Sequence, residues 1–132
     1  MFLIYDTETT GLPINDNAPL TDFENWPRLV QLAWQIHDEK GELVEVKNYI
    51  VRPEGFVIPR AAEKVHGIST ERATNEGEPL EKVLGEFIEA LQKVKVVAGH
   101  NVEFDNTIVR VECMRKALEC LLTEKIIVDT KE

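Results

Sequence analysis

Ile4-Tyr5-Asp6-Thr7-Glu8-Thr9-Thr10-Gly11 decides how this 132-residue chain is read. The apolar run Phe2-Leu3-Ile4-Tyr5 leads into it and predicts a strand buried on both faces. Side chains two residues apart leave a strand on the same side, so Asp6 and Glu8 should converge on one point. Like charges held together resist ionising together, and a divalent cation between them relieves the repulsion. An oxygen-rich site of this kind suits Mg²⁺ or Mn²⁺. Gly11 supplies a sharp turn where backbone approaches a ligand closely.

Beyond this stretch, residues 13–27 are rich in Asn, Asp and Pro and predict a long surface loop. Val30, Leu32, Trp34 and Ile36 alternate with Gln31, Ala33, Gln35 and His37, the period of a strand. Asp38 to Gly41 turn the chain, and residues 43–51 return as the second arm of an antiparallel hairpin. A short helix follows from Pro59 to Val65 with Gly67 as its C-cap, then a helical turn capped by Ser69. From Pro79 to Lys93, Leu80, Val83, Leu84, Phe87, Ile88 and Leu91 form one helical stripe.

Residues 94–98 predict another strand. After it, Asn101 reads as the N-cap of a helix whose Phe104, Ile108, Val111, Met114, Leu118 and Leu121 keep helical spacing. Residues 126–129 open a last strand. A right-handed crossover sets the strand at 94–98 parallel to the first, so that the loop after it opens at the same sheet edge as Glu8. Asp105, in the first turns of the following helix, is then the natural third carboxylate. Three convergent acids without His or Cys partners point to two hard metal ions and in-line phosphoryl displacement.

The bulk numbers bound this reading. The chain is one domain, residues 1–132, with 43% hydrophobic and 30% charged residues. No apolar run approaches the roughly twenty residues that cross a bilayer, and the start lacks a basic, cleavable leader, so the expected compartment is cytoplasmic, without membrane association. Cys113 and Cys120 fall on the predicted last helix, where seven residues rise about 10 Å, beyond the roughly 7 Å reach of a disulfide. They are expected to be reduced, packed thiols. A net charge of −9 argues against binding along a long basic surface, but not against a grip on a few terminal nucleotides through metal ions.

At these residues the sequence resembles a family. Asp6-Thr7-Glu8-Thr9-Thr10-Gly11 is similar to the first motif of the DEDD superfamily of 3′-5′ exonucleases, and His100-Asn101-Val102-Glu103-Phe104-Asp105 is similar to the second. Val65-His66-Gly67-Ile68 resembles a short signature between them. The resemblance covers essentially the whole chain and is nearest to the proofreading, epsilon-type branch of bacterial DNA polymerase III. It implies an α/β, ribonuclease-H-like mixed sheet with one antiparallel hairpin strand and flanking helices. It also implies that Asp6 bridges two Mg²⁺ or Mn²⁺ ions, Glu8 binds the catalytic one, and Asp105 helps hold the second. Thr9, Thr10, Gly11 and Leu12 would meet the terminal nucleotide of a single-stranded or frayed 3′ end, with Phe104 near its base and His66 and Asn101 as further contacts.

The family's third motif, a His or Tyr a few residues before a fourth Asp, does not occur after Asp129-Thr130. The chain therefore reads as a domain truncated at its C-terminus, with no general base and impaired activity. Such a truncation is expected to uncover an apolar patch on the sheet and to favour self-association. Two other readings stand beside a proofreading DNA exonuclease: an RNA exonuclease of the ribonuclease T or oligoribonuclease type, and an inactive module that binds a DNA polymerase subunit.

For several residues a plain structural role competes. Lys64 and His66 suit a helix C-terminus electrostatically. Phe104 belongs to its helix's apolar stripe, and Trp26 and Trp34 read as core or loop anchors. Arg28, Arg60, Lys64 and Arg110 are scattered, as solvated cations usually are.

Overall fold

Phe2–Thr9 form β1, the middle strand of the computed structural model, which describes residues 1–131. Glu132, the last residue of the predicted domain, lies outside the described residues. Leu29–His37 (β2) pairs antiparallel with β1, and Leu43–Ile50 (β3) pairs antiparallel with β2, the hairpin expected from alternation. Val96–Gly99 (β4) lies parallel on the other side of β1, with Phe2 opposite Val96 and Ile4 opposite Ala98. Ile126–Asp129 (β5) extends the sheet parallel to β4, giving the order β3-β2-β1-β4-β5. This is the ribonuclease-H-like mixed sheet of the sequence reading.

Among the described residues four α-helices complete the fold: Arg60–His66 (α1), Thr70–Glu76 (α2), Leu80–Gln92 (α3) and Val102–Arg115 (α4). Gly67 closes α1 in the left-handed conformation, φ 76°, and Ser69 accepts a hydrogen bond from Arg72 N–H at the start of α2, as their sequence signals require. The apolar stripe of α3 packs against the inward face of the sheet, where Phe87 sits 4.9 Å from Tyr5 and 5.3 Å from Trp34, centroid to centroid. A smaller cluster of Val30, Ile58, Ala62, Ile68 and Ala73 holds α1 and α2.

Between α2 and the end of β3 the backbones nearly touch. A methyl group on Gly77 would stand 2.2 Å from the Ala73 carbonyl oxygen and 2.6 Å from Arg52 N, both main-chain atoms. Neither is free to move, because Ala73 O accepts Gly77 N–H, and Arg52 N–H bonds Glu78 O while Glu78 N–H bonds Ile50 O. Gly77→Ala is expected to lower stability by about 1–3 kcal/mol or more in urea unfolding, with an unchanged denaturant slope.

Four expectations need correction. First, β1 is buried on one face only: Leu3, Tyr5 and Thr7 point into the core, while Ile4 is 41% exposed and Asp6 faces outward with it. All the described helices that pack on β1 lie on the Leu3–Tyr5 side, so a continuous apolar run does not mean two covered faces here. Val46, Ile126 and Val128 are likewise exposed along the sheet.

Second, the last long helix stops at Arg115 instead of running to Leu121. Ala117 turns left-handed, φ 55°, and Leu118 N–H bonds back to Cys113 O. Leu118 and Leu121 still reach the core, but from the returning chain and a 3₁₀ turn at Leu121–Glu124. Their helical spacing therefore mimicked a helix that is not there. Third, Cys113 and Cys120 are free thiols, as expected, but they do not share a helix. The reversal brings them side by side, where a hydrogen bond with Cys113 holds the Cys120 thiol below its ordinary value. Fourth, Asn101 precedes α4 in the left-handed conformation, φ 56°, and its side chain makes no cap hydrogen bond.

Candidate active site

β1 and β4 are parallel, so the residues that follow both strands emerge at one edge of the sheet. The pleat of β1 divides the first motif at that edge. Asp6 and Glu8 lie on the outward side, as the two-residue spacing predicts. Thr7 points inward, is 8% exposed, and donates its hydroxyl to Asp105 Oδ1 at 2.5 Å. Asp105 is thus fastened from the opposite side of the same strand by the residue that separates the other two acids.

Among the described residues, no three His, Cys, Asp or Glu side chains are gathered closely enough to hold a metal ion. The three carboxylates nevertheless share one electrostatic field. Asp105, 4% exposed, has its pKa pushed up to about 7, first by burial and further by the charges of Asp6 and Glu8, with the Thr7 hydroxyl acting against them. Glu8 is raised by burial and by Asp6, while His66 opposes the rise. Negative charge is in excess here. All three donors are hard oxygens, the set that suits Mg²⁺ or Mn²⁺.

The remaining predicted contacts fall around this edge in different ways. Thr9 Oγ1 donates to Gly11 O at 2.8 Å and tightens the turn after β1, where Gly11 takes φ 150°. Thr10 Oγ1 accepts from Arg28 N–H at 2.9 Å, and Thr10 N–H donates to Arg28 O at 3.0 Å. Leu12 stands 84% exposed just beyond. His66 accepts Ile68 N–H at Nδ1, which places its remaining proton on Nε2. That Nε2 is buried and has no hydrogen-bond partner among the described residues. Asn101 is exposed, and Phe104 is half-buried against the core, so packing is its observed role. His100 and Asp6 line a cleft of about 590 Å³ on the open face with Gln35, Asn48 and Thr130.

Three supporting residues escaped the sequence reading. Thr7 was legible from strand period alone, since the residue between two outward acids must face inward. Glu112 follows Asp105 by seven residues, two helical turns, and therefore sits on the same face of α4. It is 1% exposed, its carboxylate accepts from Arg28 Nε, Leu29 N–H and Arg115 Nη1, and no local signal marks a buried acid. Asp129 accepts Asn101 N–H and Lys131 N–H, each at 2.9 Å, and so ties the end of β5 to the turn before α4. Its carboxyl is held below the usual range chiefly by the Lys131 amide.

The sequence pattern of the family described as Exonuclease matches residues 3–131. No curated protein matches the chain. Among solved structures, Escherichia coli exonuclease I in complex with a dA16 oligonucleotide superposes over 97% of this chain and 27% of its own, at 22% identity and a TM-score of 0.75. The same enzyme with a dT13 oligonucleotide gives 21% identity and 0.76 over the same shares. A product-bound exonuclease I gives 20% identity and 0.77, over 97% of this chain and 29% of its own. The chain therefore spans less than a third of these structures' length. The likeness is one of fold.

Proposed function

From the premise that the chain belongs to the exonuclease family, we propose that it is a divalent-metal-dependent 3′-5′ exonuclease that releases nucleoside 5′-monophosphates from single-stranded or frayed DNA ends. The observation that carries this reading is the placement of Asp6, Glu8 and Asp105 at one sheet edge, where burial first, and then the charges of Asp6 and Glu8, push the Asp105 pKa up to about 7. Structural elements alone do not need three acids in such mutual conflict. A site that takes up positive charge does.

In this reading Asp6 and Glu8 hold the ions from the outward side of β1, and Asp105 completes the set from α4. Two bound Mg²⁺ or Mn²⁺ ions would supply an activated water and charge stabilisation on the leaving oxygen. The Thr9–Leu12 turn, fixed by its hydroxyl bonds, orients the terminal nucleotide, and the exposed Leu12 side chain offers its base an apolar surface. His66 Nε2–H, buried and unpartnered beside Glu8, orients an oxygen at the end of the chain. Asn101 and Phe104 border the same place. No residue of 1–132 is assigned as general base, since the His or Tyr and fourth Asp of the resembling family are not among them.

The proofreading type and a DNA polymerase subunit as partner follow from the resemblance to the epsilon-type branch, and the cytoplasmic compartment from the composition of the chain and its start. None of the described helices is long and apolar enough to cross a membrane. The exposed Ile4, Val46, Ile126 and Val128 support self-association through the open sheet face. An RNA end remains the alternative substrate, and binding without hydrolysis the alternative activity.

Single-stranded DNA and RNA oligonucleotides labelled at the 5′ end distinguish these readings. With Mg²⁺ or Mn²⁺, a ladder shortening from the 3′ end of DNA, with mononucleotide product, is the expected result. A ladder on RNA alone would transfer the activity to the RNA type. Binding without a ladder would leave the inactive module, and neither binding nor cleavage would overturn a nucleic-acid role.

A further inference from the structure

We propose that Glu112 is a positioning residue, which locks the turn after β1 to α4 and so fixes the gap in which a nucleic-acid end lies. The proposal rests on the nucleic-acid reading above for what the gap receives, and on geometry for the lock itself.

A carboxylate that is 1% exposed is costly unless every lone pair is used. Glu112 meets that condition. Its Oε2 accepts Leu29 N–H at 2.8 Å and Arg28 Nε at 3.2 Å, and its Oε1 accepts Arg115 Nη1 at 2.9 Å and the same Arg28 Nε at 3.3 Å. Both cations are themselves committed. Arg115, three residues on along α4, turns its other nitrogen to Phe23 O at 2.6 Å and Trp26 O at 3.1 Å. The Arg28 guanidinium lies over the Phe56 ring, 4.6 Å from its centroid. Glu112 thus joins α4 to the start of β2, and its two arginines carry the connection on to the long loop at Phe23 and Trp26 and to Phe56.

The connection to the site runs through main chain. Arg28 N–H donates to Thr10 Oγ1 and Arg28 O accepts Thr10 N–H, so whatever fixes Arg28 fixes Thr10. On the same face of α4, two turns and about 10.5 Å away, Asp105 is fastened to Thr7. One helix is therefore pinned to β1 and to the turn that follows it at two heights, by two buried carboxylates. Asp105 alone would leave the turn free to swing. Glu112 removes that freedom, and the burial of its charge makes the alternative placements expensive.

Glu112→Gln keeps the shape but sets an amide donor against Arg28 or Leu29 N–H. Hydrogen exchange of the turn and loop amides Thr10, Ile14, Asn25 and Leu29 should then quicken at least tenfold, with core amides such as Val97 within threefold of wild type. The Kd for a single-stranded DNA oligonucleotide, read by fluorescence anisotropy with Ca²⁺, should weaken at least tenfold. Leu91→Ala, which empties a core position on α3, serves as a destabilised control and should leave that Kd within threefold. Should Glu112→Gln fail to fold, Arg115→Lys retains the charge and loses the fork on Phe23 and Trp26, and it should quicken exchange at Asn25 and weaken binding in the same sense. Unchanged exchange at Thr10, or equal weakening in the control, would overturn the positioning role. If the wild-type chain binds no oligonucleotide, the nucleic-acid reading falls, while exchange at Thr10 still decides whether the lock exists.

Discussion

Asp6→Ala is expected to lower any metal-dependent release of nucleotides on the order of 10³-fold while leaving the fold intact. Asp6 faces outward from β1 and its side chain is exposed, so its removal leaves no buried side-chain partner unsatisfied. The loss falls on function because the ions' stabilisation of developing charge is worth several kcal/mol, and about 1.4 kcal/mol corresponds to tenfold in rate. A fitting check has two parts: initial rates on a 5′-labelled oligonucleotide, and Mn²⁺ affinity by titration calorimetry. Both should fall, with the melting temperature within a few degrees of wild type. If the rate stays within tenfold of wild type, Asp6 is not a ligand and the first motif needs another explanation.

Asp105→Asn is expected to change how stability responds to pH. The folded chain holds the Asp105 proton up to about pH 7, whereas an unfolded chain releases it near 3.8, the ordinary value for the group. Between those pH values the native state binds the additional proton, so the stability contributed by this group falls as pH rises through that window and levels off above about 7. The penalty at pH 8 is on the order of a few kcal/mol. Asn keeps the acceptor for Thr7 Oγ1 but cannot ionise, so the metal-free variant should gain on wild type at pH 8 and show little gain at pH 4. Millimolar Mg²⁺ should stabilise wild type more at pH 8 than at pH 5, since cation and proton compete for the same oxygens, and should do less for the variant. Urea unfolding at these pH values, with and without Mg²⁺, tests each part. A wild-type curve parallel to that of Asp105→Asn would refute the assignment.

The fold was largely legible where the signal was periodic. Alternation in Val30–His37 gave β2, the stripe of Leu80–Leu91 gave α3, and the position of β4 beside β1 followed from crossover handedness. Legibility failed where spacing has two physical origins. Leu118 and Leu121 keep helical intervals yet reach the core from a reversed chain, because the left-handed Ala117 breaks α4 without a glycine or proline to announce it. At the site, the motif residues could be named but not their sidedness. The alternation that joins Asp6 to Glu8 also turns Thr7 inward, and it is Thr7 that takes Asp105. Glu112 lay outside any local pattern: its partners, Arg28 and Leu29, are more than 80 residues away in sequence.

The central place of β1 also sets the order in which the molecule is built. Its antiparallel partner β2 is complete by His37, but its parallel partner begins at Val96, opposite Phe2. At roughly 5–20 residues per second of synthesis, the 58 residues between His37 and Val96 occupy about 3–12 s. Through that interval the nascent strand has one bare hydrogen-bonding edge, no α4 against its inward face, and no α3 until Gln92 is made. Asp6 and Glu8 are made 99 and 97 residues before Asp105, the acid they meet at the sheet edge. Until Asp105 emerges, the chain therefore has no assembled site with which to grip nucleic acid.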